Sequence, residues 1–294
     1  MTRALRLELG TNVLDFDQWP THGVIASSVD LGFPAVREVI TDLPDQDGSY
    51  DETAYVGPRV VTITGNLGPG TNGSRGAART ALAPFLSASA RPQLIVALDD
   101  DVSQMSLTMR PADYTGVVGP GGSTTNFTAS WKCADPLAYG LATNEVDIYP
   151  GSAGSVGRKY PKTFNYTYPV TPGAGGTSFI TTSGNYKAFP VLQIDGPVTD
   201  PTIIWLDPIT RIPTGPQIVI AGLTVSLGDY LQIDTKARTV YLNGDPNANR
   251  YAFLDFEATT WGPLESGTNL LRFTTPSSVP PAVARVFWRD AFLV

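Results

Sequence analysis

Cysteine and histidine are almost missing from this chain of 294 residues, with Cys133 and His22 the single examples of each. One cysteine excludes an intrachain disulfide. Its setting, Ala129-Ser130-Trp131-Lys132-Cys133, reads as a small apolar side chain buried on a strand. Zinc centres need clusters of these two residues and are excluded with them. Nucleophilic catalysis is left without a base at hand, because His22 sits in the turn-like Trp19-Pro20-Thr21-His22-Gly23 and no Gly-x-Ser-x-Gly elbow occurs. Charge is scarce too, at 16% of residues, and its balance is acidic, −7 at pH 7. The densest basic pair is Arg158-Lys159, far short of what a phosphate-tracking surface requires. No apolar run approaches a membrane span, and MTRALRLELG lacks the apolar core of a secretory signal. The expectation is a protein assembled in a cytoplasm, without membrane insertion.

What the chain does have is an ordinary apolar content of 42%, with 29 glycines and 25 prolines. Abundant turn formers with little charge favour many short strands over long helices. Alternation of apolar and polar residues predicts strands at 4–15 (broken at Gly10-Thr11-Asn12), Val24–Val29, Arg59–Leu67, Gln93–Asp99, Met105–Pro111, Tyr114–Val118 and Asn126–Cys133. The acidic stretch Pro44–Tyr55 reads as a flexible loop, and Gly116–Thr125 as a second one. Ser74–Ala90 is the one helical segment, with Ala77, Ala78, Ala81, Leu82, Phe85 and Leu86 at helical spacing and Pro84 shortening or kinking it. Alternation stops at Asp135-Pro136-Leu137-Ala138-Tyr139. A Gly-, Pro-, Ser- and Thr-rich segment follows to about Gly157, and further strands are predicted at Thr163–Tyr168 and Ser178–Thr182. The boundary falls between Tyr139 and Pro150, giving domains 1–145 and 146–294.

Three groups of residues could carry chemistry. Gly68-Pro69-Gly70-Thr71-Asn72-Gly73 follows a strand, precedes a helix and is succeeded by a strand ending in Asp99-Asp100-Asp101, as in a dinucleotide site. Pro69 removes a backbone donor from that loop, however, and hairpins rather than a strand–helix alternation follow, so a packing element is the expectation. Asp42, Asp45, Asp47 and Asp51 could offer oxygens to calcium, but Asp42-Leu43-Pro44-Asp45 breaks the alternate ligand spacing of a calcium loop and no Glu closes it, and consecutive strand residues such as Asp99–Asp101 point to opposite faces. Asp255 and Glu257 in FLDFEAT would share one face of a strand, read as the outward one, with Leu254 and Phe256 pointing in. No catalytic, cofactor-binding or metal residue is assigned, and the chain is read as not an enzyme. Trp205, Tyr230, Tyr241, Trp261 and Trp288 suit a core or an interface, and one of them could serve as a sugar platform.

The segment from Asn185 onward is the most informative. It runs NYKAFPVLQIDGPVTDPTIIWLD, then GDYLQIDTKARTVYLNG, where Tyr230–Asp234 and Arg238–Gly244 flank a three-residue Thr-Lys-Ala turn, and closes FLDFEATTWGPLESGTNLLRFTT. With Pro190, Gly196, Gly228 and the Pro263…Gly267-Thr268-Asn269-Leu270 loop, this resembles the C-terminal galectin-like sandwich of siphophage distal tail (Dit) proteins. The first half fits the same family, as a β domain with one helix ending in the Asp135-Pro136-Leu137-Ala138-Tyr139 element. The resemblance implies a mainly-β chain, with an N-terminal β-barrel-like domain carrying one helix and then a galectin-like or jelly-roll β-sandwich. It further implies a minor structural protein of the virion tail tip or baseplate, assembled in the host cytoplasm. The N-terminal domain would form a hexameric ring on the tail tube protein, DNA would only pass through the channel, and the outer domain would dock hub, baseplate or receptor-binding proteins. A carbohydrate-binding β-sandwich module is the alternative reading, and an oxidoreductase built on the glycine motif stands behind both.

Overall fold

The computed structural model describes residues 5–16, 23–38, 40–43, 45–47, 49–51, 54–69, 75–97, 104–116, 125–152, 176–278 and 282–294. Among them the chain is mainly strand, with one α-helix. It divides into two compact units, one formed by Met1–Leu141 together with Phe292–Val294 and the other by Ala142–Ala291.

Unit 1 is assembled from two sheets around one core. The four-stranded sheet runs Arg110–Gly116, Thr125–Cys133, Arg59–Leu67, Val24–Asp30, antiparallel throughout. Its two central strands bury every second residue, as alternation demands of a sheet with one wet face. Val61, Ile63 and Leu67 point inward from one, and Phe127, Ala129, Trp131 and Cys133 from the other. The six-stranded sheet runs Asn12–Asp15, Leu5–Leu9, Gln93–Val96, Met105–Thr108, Ala138–Gly140, Ala291–Phe292, and contributes Leu5, Leu7, Leu94 and Leu107 to the same core. Gly65 lies where these strands crowd. A Cβ there would sit 2.1 Å from the Ile25 carbonyl oxygen and 2.8 Å from the Phe127 ring, beside the bulge between Ala26 and Ser28.

The helix spans Arg75–Leu82 and tightens into a 3-10 turn over Ala83–Leu86. It is shorter than the sequence reading because Pro84 has no backbone donor for an α-type bond. Ala78, Leu82 and Phe85 enter the core. The indole N–H of Trp131 donates to the Phe85 carbonyl at 3.1 Å, tying the turn to the sheet. After strand Thr125–Cys133, Asp135 staples the Asp-Pro-x-x-Tyr element, accepting from the Tyr139 hydroxyl at 2.9 Å and the Leu137 backbone N–H at 3.3 Å.

Unit 2 packs two main sheets as a sandwich, with a small third sheet of Thr224–Val225, Val198–Thr199 and Ser277–Ser278. One sheet runs Asn144–Ile148, Val283–Trp288, Val191–Asp195, Tyr230–Asp234, Thr239–Leu242. The other runs Gly151–Ser152, Gly267–Thr275, Thr202–Leu206, Pro213–Val219, with Thr177–Thr182 also on Gly267–Thr275. Leu192, Ile194, Leu231, Ile233 and Val286 of the first meet Ile203, Ile218, Leu271 and Phe273 of the second in a single core. Buried Asn269 organises the approach to Gly267–Thr275, accepting from the Glu265 N–H at 2.8 Å and donating to the Glu265 and Gly267 carbonyls. The chain enters and leaves this unit on neighbouring strands, with Asn144 opposite Trp288.

Several local features differ from the sequence reading. Residues 292–294, assigned there to the second domain, complete unit 1 instead, because their two-residue strand pairs far from its chain neighbours. The Tyr230 hairpin closes through Thr235–Arg238 rather than three residues. Asp234 accepts from the Lys236 and Ala237 N–H groups, and Arg238 takes a left-handed φ of 55°. The acidic stretch is not all loop: Ile40–Asp42 pairs with Ser49–Asp51, and Val36–Arg37 with Tyr55–Val56. The strands predicted at Thr163–Tyr168 and the ends of Gln93–Asp99 and Tyr114–Val118 lie outside the described residues.

Candidate interaction surfaces

The glycine motif does not sit in a dinucleotide fold. Strand Arg59–Leu67 belongs to the four-stranded sheet and Gln93–Val96 to the six-stranded one, and both are antiparallel to their neighbours. The Gly68 N–H is already used by the Gly23 carbonyl at 2.8 Å. Gly70–Gly73, Asp99–Asp101 and His22 lie outside the described residues. Asp42 stands on the small hairpin opposite Ser49, and among the described residues no three His, Cys, Asp or Glu side chains gather to hold a metal. No helix among them is long and apolar enough to cross a membrane.

Asp255 and Glu257 do not share a strand. Asp255 caps a turn, accepting from the Glu257 and Ala258 N–H groups at 3.1 Å. That turn buries Leu254 but leaves Phe256 63% exposed, where inward packing was expected. A period of two cannot be read across a residue whose side chain bonds its own backbone. Of the aromatics, Trp205 and Trp288 are buried, whereas Tyr230, Tyr241 and Trp261 are half-buried.

Unit 1 has a segment whose described residues are mostly exposed. Between strands Val24–Asp30 and Arg59–Leu67 the chain makes two short, separate two-stranded ladders. This arm displays Phe33, Val36, Tyr50 and Tyr55, the first 75% and the last 60% exposed. The outer face of the four-stranded sheet is different in kind. Thr62, Thr64 and Asn66 stand opposite Ser130, Thr128 and Asn126, a run of hydroxyls and amides that ends in Val60 opposite Lys132.

Beneath that sheet, Arg59 and Cys133 face each other in register and are buried. Arg59 Nη1 donates to the main-chain oxygen of Val294 at 2.7 Å, while its Nε and Nη2 find no partner. Burial pushes the Arg59 pKa down, against the pull of Cys133 and Asp135. Burial also pushes the Cys133 thiol up to about 11, partly offset by the Arg59 charge and reinforced by Asp135.

In unit 2 the loop between Thr202–Leu206 and Pro213–Val219 is held by one carboxylate. Asp207 Oδ1 accepts from the Ile209 N–H, the Thr210 N–H and the Thr210 hydroxyl at 2.9, 2.6 and 3.0 Å. The Thr210 bonds, then that from Ile209, hold its pKa below the ordinary value. Ile209, 90% exposed, and Ile212 are presented on this loop. Sequence reasoning missed this loop and the strand pairs of the arm, of which it singled out only Pro44–Tyr55, as a loop suited to partner contacts. The available signals were Ile209 and Ile212 flanking a polar turn and Phe33, Val36, Tyr50 and Tyr55 in a stretch without alternation.

No family model matches the chain, and no curated protein does. Solved structures do. The crystal structure of the phage SPP1 Dit protein (gp 19.1), a paradigm of the hub adsorption apparatus in phages infecting Gram-positive bacteria, aligns over 99% of this chain and 100% of its own. The TM-score is 0.64 and the identity 12%. A chain of the phage p2 baseplate in its activated conformation aligns over 98% of both chains, with 16% identity and a TM-score of 0.48. The first match shows that the whole chain has the fold of a Dit protein.

Proposed function

We propose that this chain is a distal tail protein, a structural subunit of a siphophage tail tip rather than an enzyme. In this reading unit 1 closes a hexameric ring at the end of the tail tube, contacting the tube protein. Unit 2, a galectin-like sandwich, offers its surface to hub, baseplate or receptor-binding proteins. DNA would pass through the ring without being bound, and assembly would take place in the host cytoplasm. The observation that carries the reading is the end-to-end fold match with SPP1 Dit.

The arm of unit 1 supports it. Two-stranded ladders without a covering layer are marginal in water, and contiguous exposed apolar side chains mark contact surfaces. Phe33, Val36, Tyr50 and Tyr55 would be covered if the arm lay on the next subunit. Such a contact is heterologous, one face meeting a different face, and a ring is the closed form of that geometry.

Negative-stain imaging with light scattering on the purified chain tests this, alone and with the cognate tube protein. The expected result is a ring with a central opening in at least one sample. Phe33→Ser with Tyr55→Ser should shift it towards monomer with an unchanged circular dichroism spectrum. A monomer under both conditions overturns the reading.

A further inference from the structure

Strand Thr239–Leu242 of unit 2 ends in Asn243-Gly244, one of two Asn-Gly pairs in the chain with Asn72-Gly73. The Asp245 N–H donates to the Leu242 carbonyl at 3.1 Å, and Asn243 and Gly244 both take a left-handed φ, 54° and 69°. This is a type I′ turn, which asparagine and glycine adopt at least cost. Asn243 is exposed, yet its amide is held at both ends. Nδ2 donates to Asp229 Oδ1 at 2.8 Å, and Oδ1 accepts from the Tyr230 N–H at 2.9 Å. The Asn243 main-chain N–H adds a bond to the Tyr230 carbonyl at 2.8 Å. The clamp thereby ties down one end of the loop Leu227–Asp229, whose Leu227 is 72% exposed. Asp229 also lines a cleft with Asp147, Asp195 and Arg285, so the surroundings are already acidic.

We infer that Asn243 is a gated deamidation site, kept as an amide by this clamp and converted to a carboxylate when the clamp opens. Asn-Gly permits the reaction because glycine puts no side chain in the way of its own nitrogen. The Gly244 main-chain nitrogen attacks Asn243 Cγ, the Cγ–Nδ2 bond breaks, and ammonia leaves with the proton that Gly244 gives up. Water then opens the cyclic imide, at Cγ to give aspartate or at the main-chain carbonyl to give isoaspartate. The sum is amide plus water to carboxylate plus ammonium, with nothing oxidised or reduced. In the folded chain the amide is drawn across to Asp229 and Tyr230 while the turn fixes the main chain. Attack therefore needs the side chain to swing and both of its bonds to break, so local opening is the gate. The product does not re-enter the clamp. Where an amide donated to Asp229 a second carboxylate now stands, and like charges at that distance repel. Isoaspartate in addition lengthens the main chain within the turn. Each conversion adds negative charge beside the acidic cleft and frees the loop Leu227–Asp229 from its tether.

The test is peptide mapping by mass spectrometry of the full chain, incubated at one mildly alkaline pH either folded or unfolded in urea. Mapping separates Asn243 from Asn72. Asn243 should convert at least about tenfold more slowly in the folded chain than in urea. Asp229→Ala removes the acceptor of Nδ2 and should speed the folded-state reaction about tenfold, with the rate in urea unchanged. A second pair of variants decides even where Asp229→Ala folds poorly. Asn243→Asp, the product itself, should lower the melting temperature of unit 2. Adding Asp229→Asn should restore it, since an amide then faces a carboxylate again with the roles exchanged. Equal rates in the folded and unfolded chains overturn the inference, as does a folded-state rate that Asp229→Ala leaves unchanged. So does an Asn243→Asp chain as stable as the parent.

Discussion

A buried guanidinium facing a buried thiol is the least comfortable feature of the chain at the scale of single residues. Arg59 and Cys133 occupy inward positions of paired strands, where apolar residues would be the default. The thiol stays protonated because burial disfavours its charge, raising its pKa from 9.0 to about 11. The sign of the stability effect follows. In the unfolded chain the thiol loses its proton first, so between about pH 9 and about pH 11 the unfolded state binds fewer protons and stability falls as pH rises. At about 1.4 kcal/mol per unit, the loss is on the order of 2–3 kcal/mol at the alkaline end and absent near neutrality. Urea unfolding at pH 7.5 and pH 10.5, with Cys133→Ala as reference, measures it: the wild type should lose more stability than the variant. An equal loss in both would assign the alkaline sensitivity to other groups. A thiol reagent should label Cys133 only as unfolding proceeds.

At the scale of elements, strand Arg59–Leu67 owes its place to a missing side chain as much as to its β-branched ones. Gly65→Ala would push a methyl into the Ile25 carbonyl and the Phe127 ring, and Val24–Asp30 would have to move away. A loss of about 1–3 kcal/mol is expected, by analogy with overpacked cores, read as a lower melting temperature of unit 1. An unchanged melting temperature would mean the strand pair is looser than its geometry. This strand and Thr125–Cys133 were legible in the sequence because one face is buried and the other wet, which prints the period of two directly. The helix was legible through Ala78, Leu82 and Phe85, although its end depended on Pro84. The strand pairs of the arm were not legible, since Val36–Arg37 and Tyr55–Val56 show no buried–exposed alternation among the described residues. Phe256 was misread because Asp255 folds the chain into a turn. The clamp on Asn243 was invisible for a different reason. Asp229 and Tyr230 stand at the start of the neighbouring strand, and only register brings them to Asn243.

At the scale of the whole molecule, the chain is a domain within a domain. Unit 2 leaves unit 1 after Leu141 and returns it at Phe292, and strand Ala291–Phe292 adds to the six-stranded sheet. A chain with residue 141 joined to residue 290 through a short Gly/Ser linker should therefore fold as unit 1, and more stably than residues 1–141 alone. That shorter fragment loses an edge strand and leaves Arg59 buried without the Val294 carbonyl, a penalty of about 1–3 kcal/mol for an unpaired buried donor. Thermal unfolding of the two chains decides, and equal melting temperatures would mean the returning strand is dispensable. The same topology sets an order of events on the ribosome. Unit 2 can close as soon as Val283–Trp288 has emerged, since all of its strands are then available. Unit 1 is made first and finished last, because Phe292–Val294 are translated after everything else it needs. Without these residues Arg59 Nη1 has lost the Val294 main-chain oxygen it donates to.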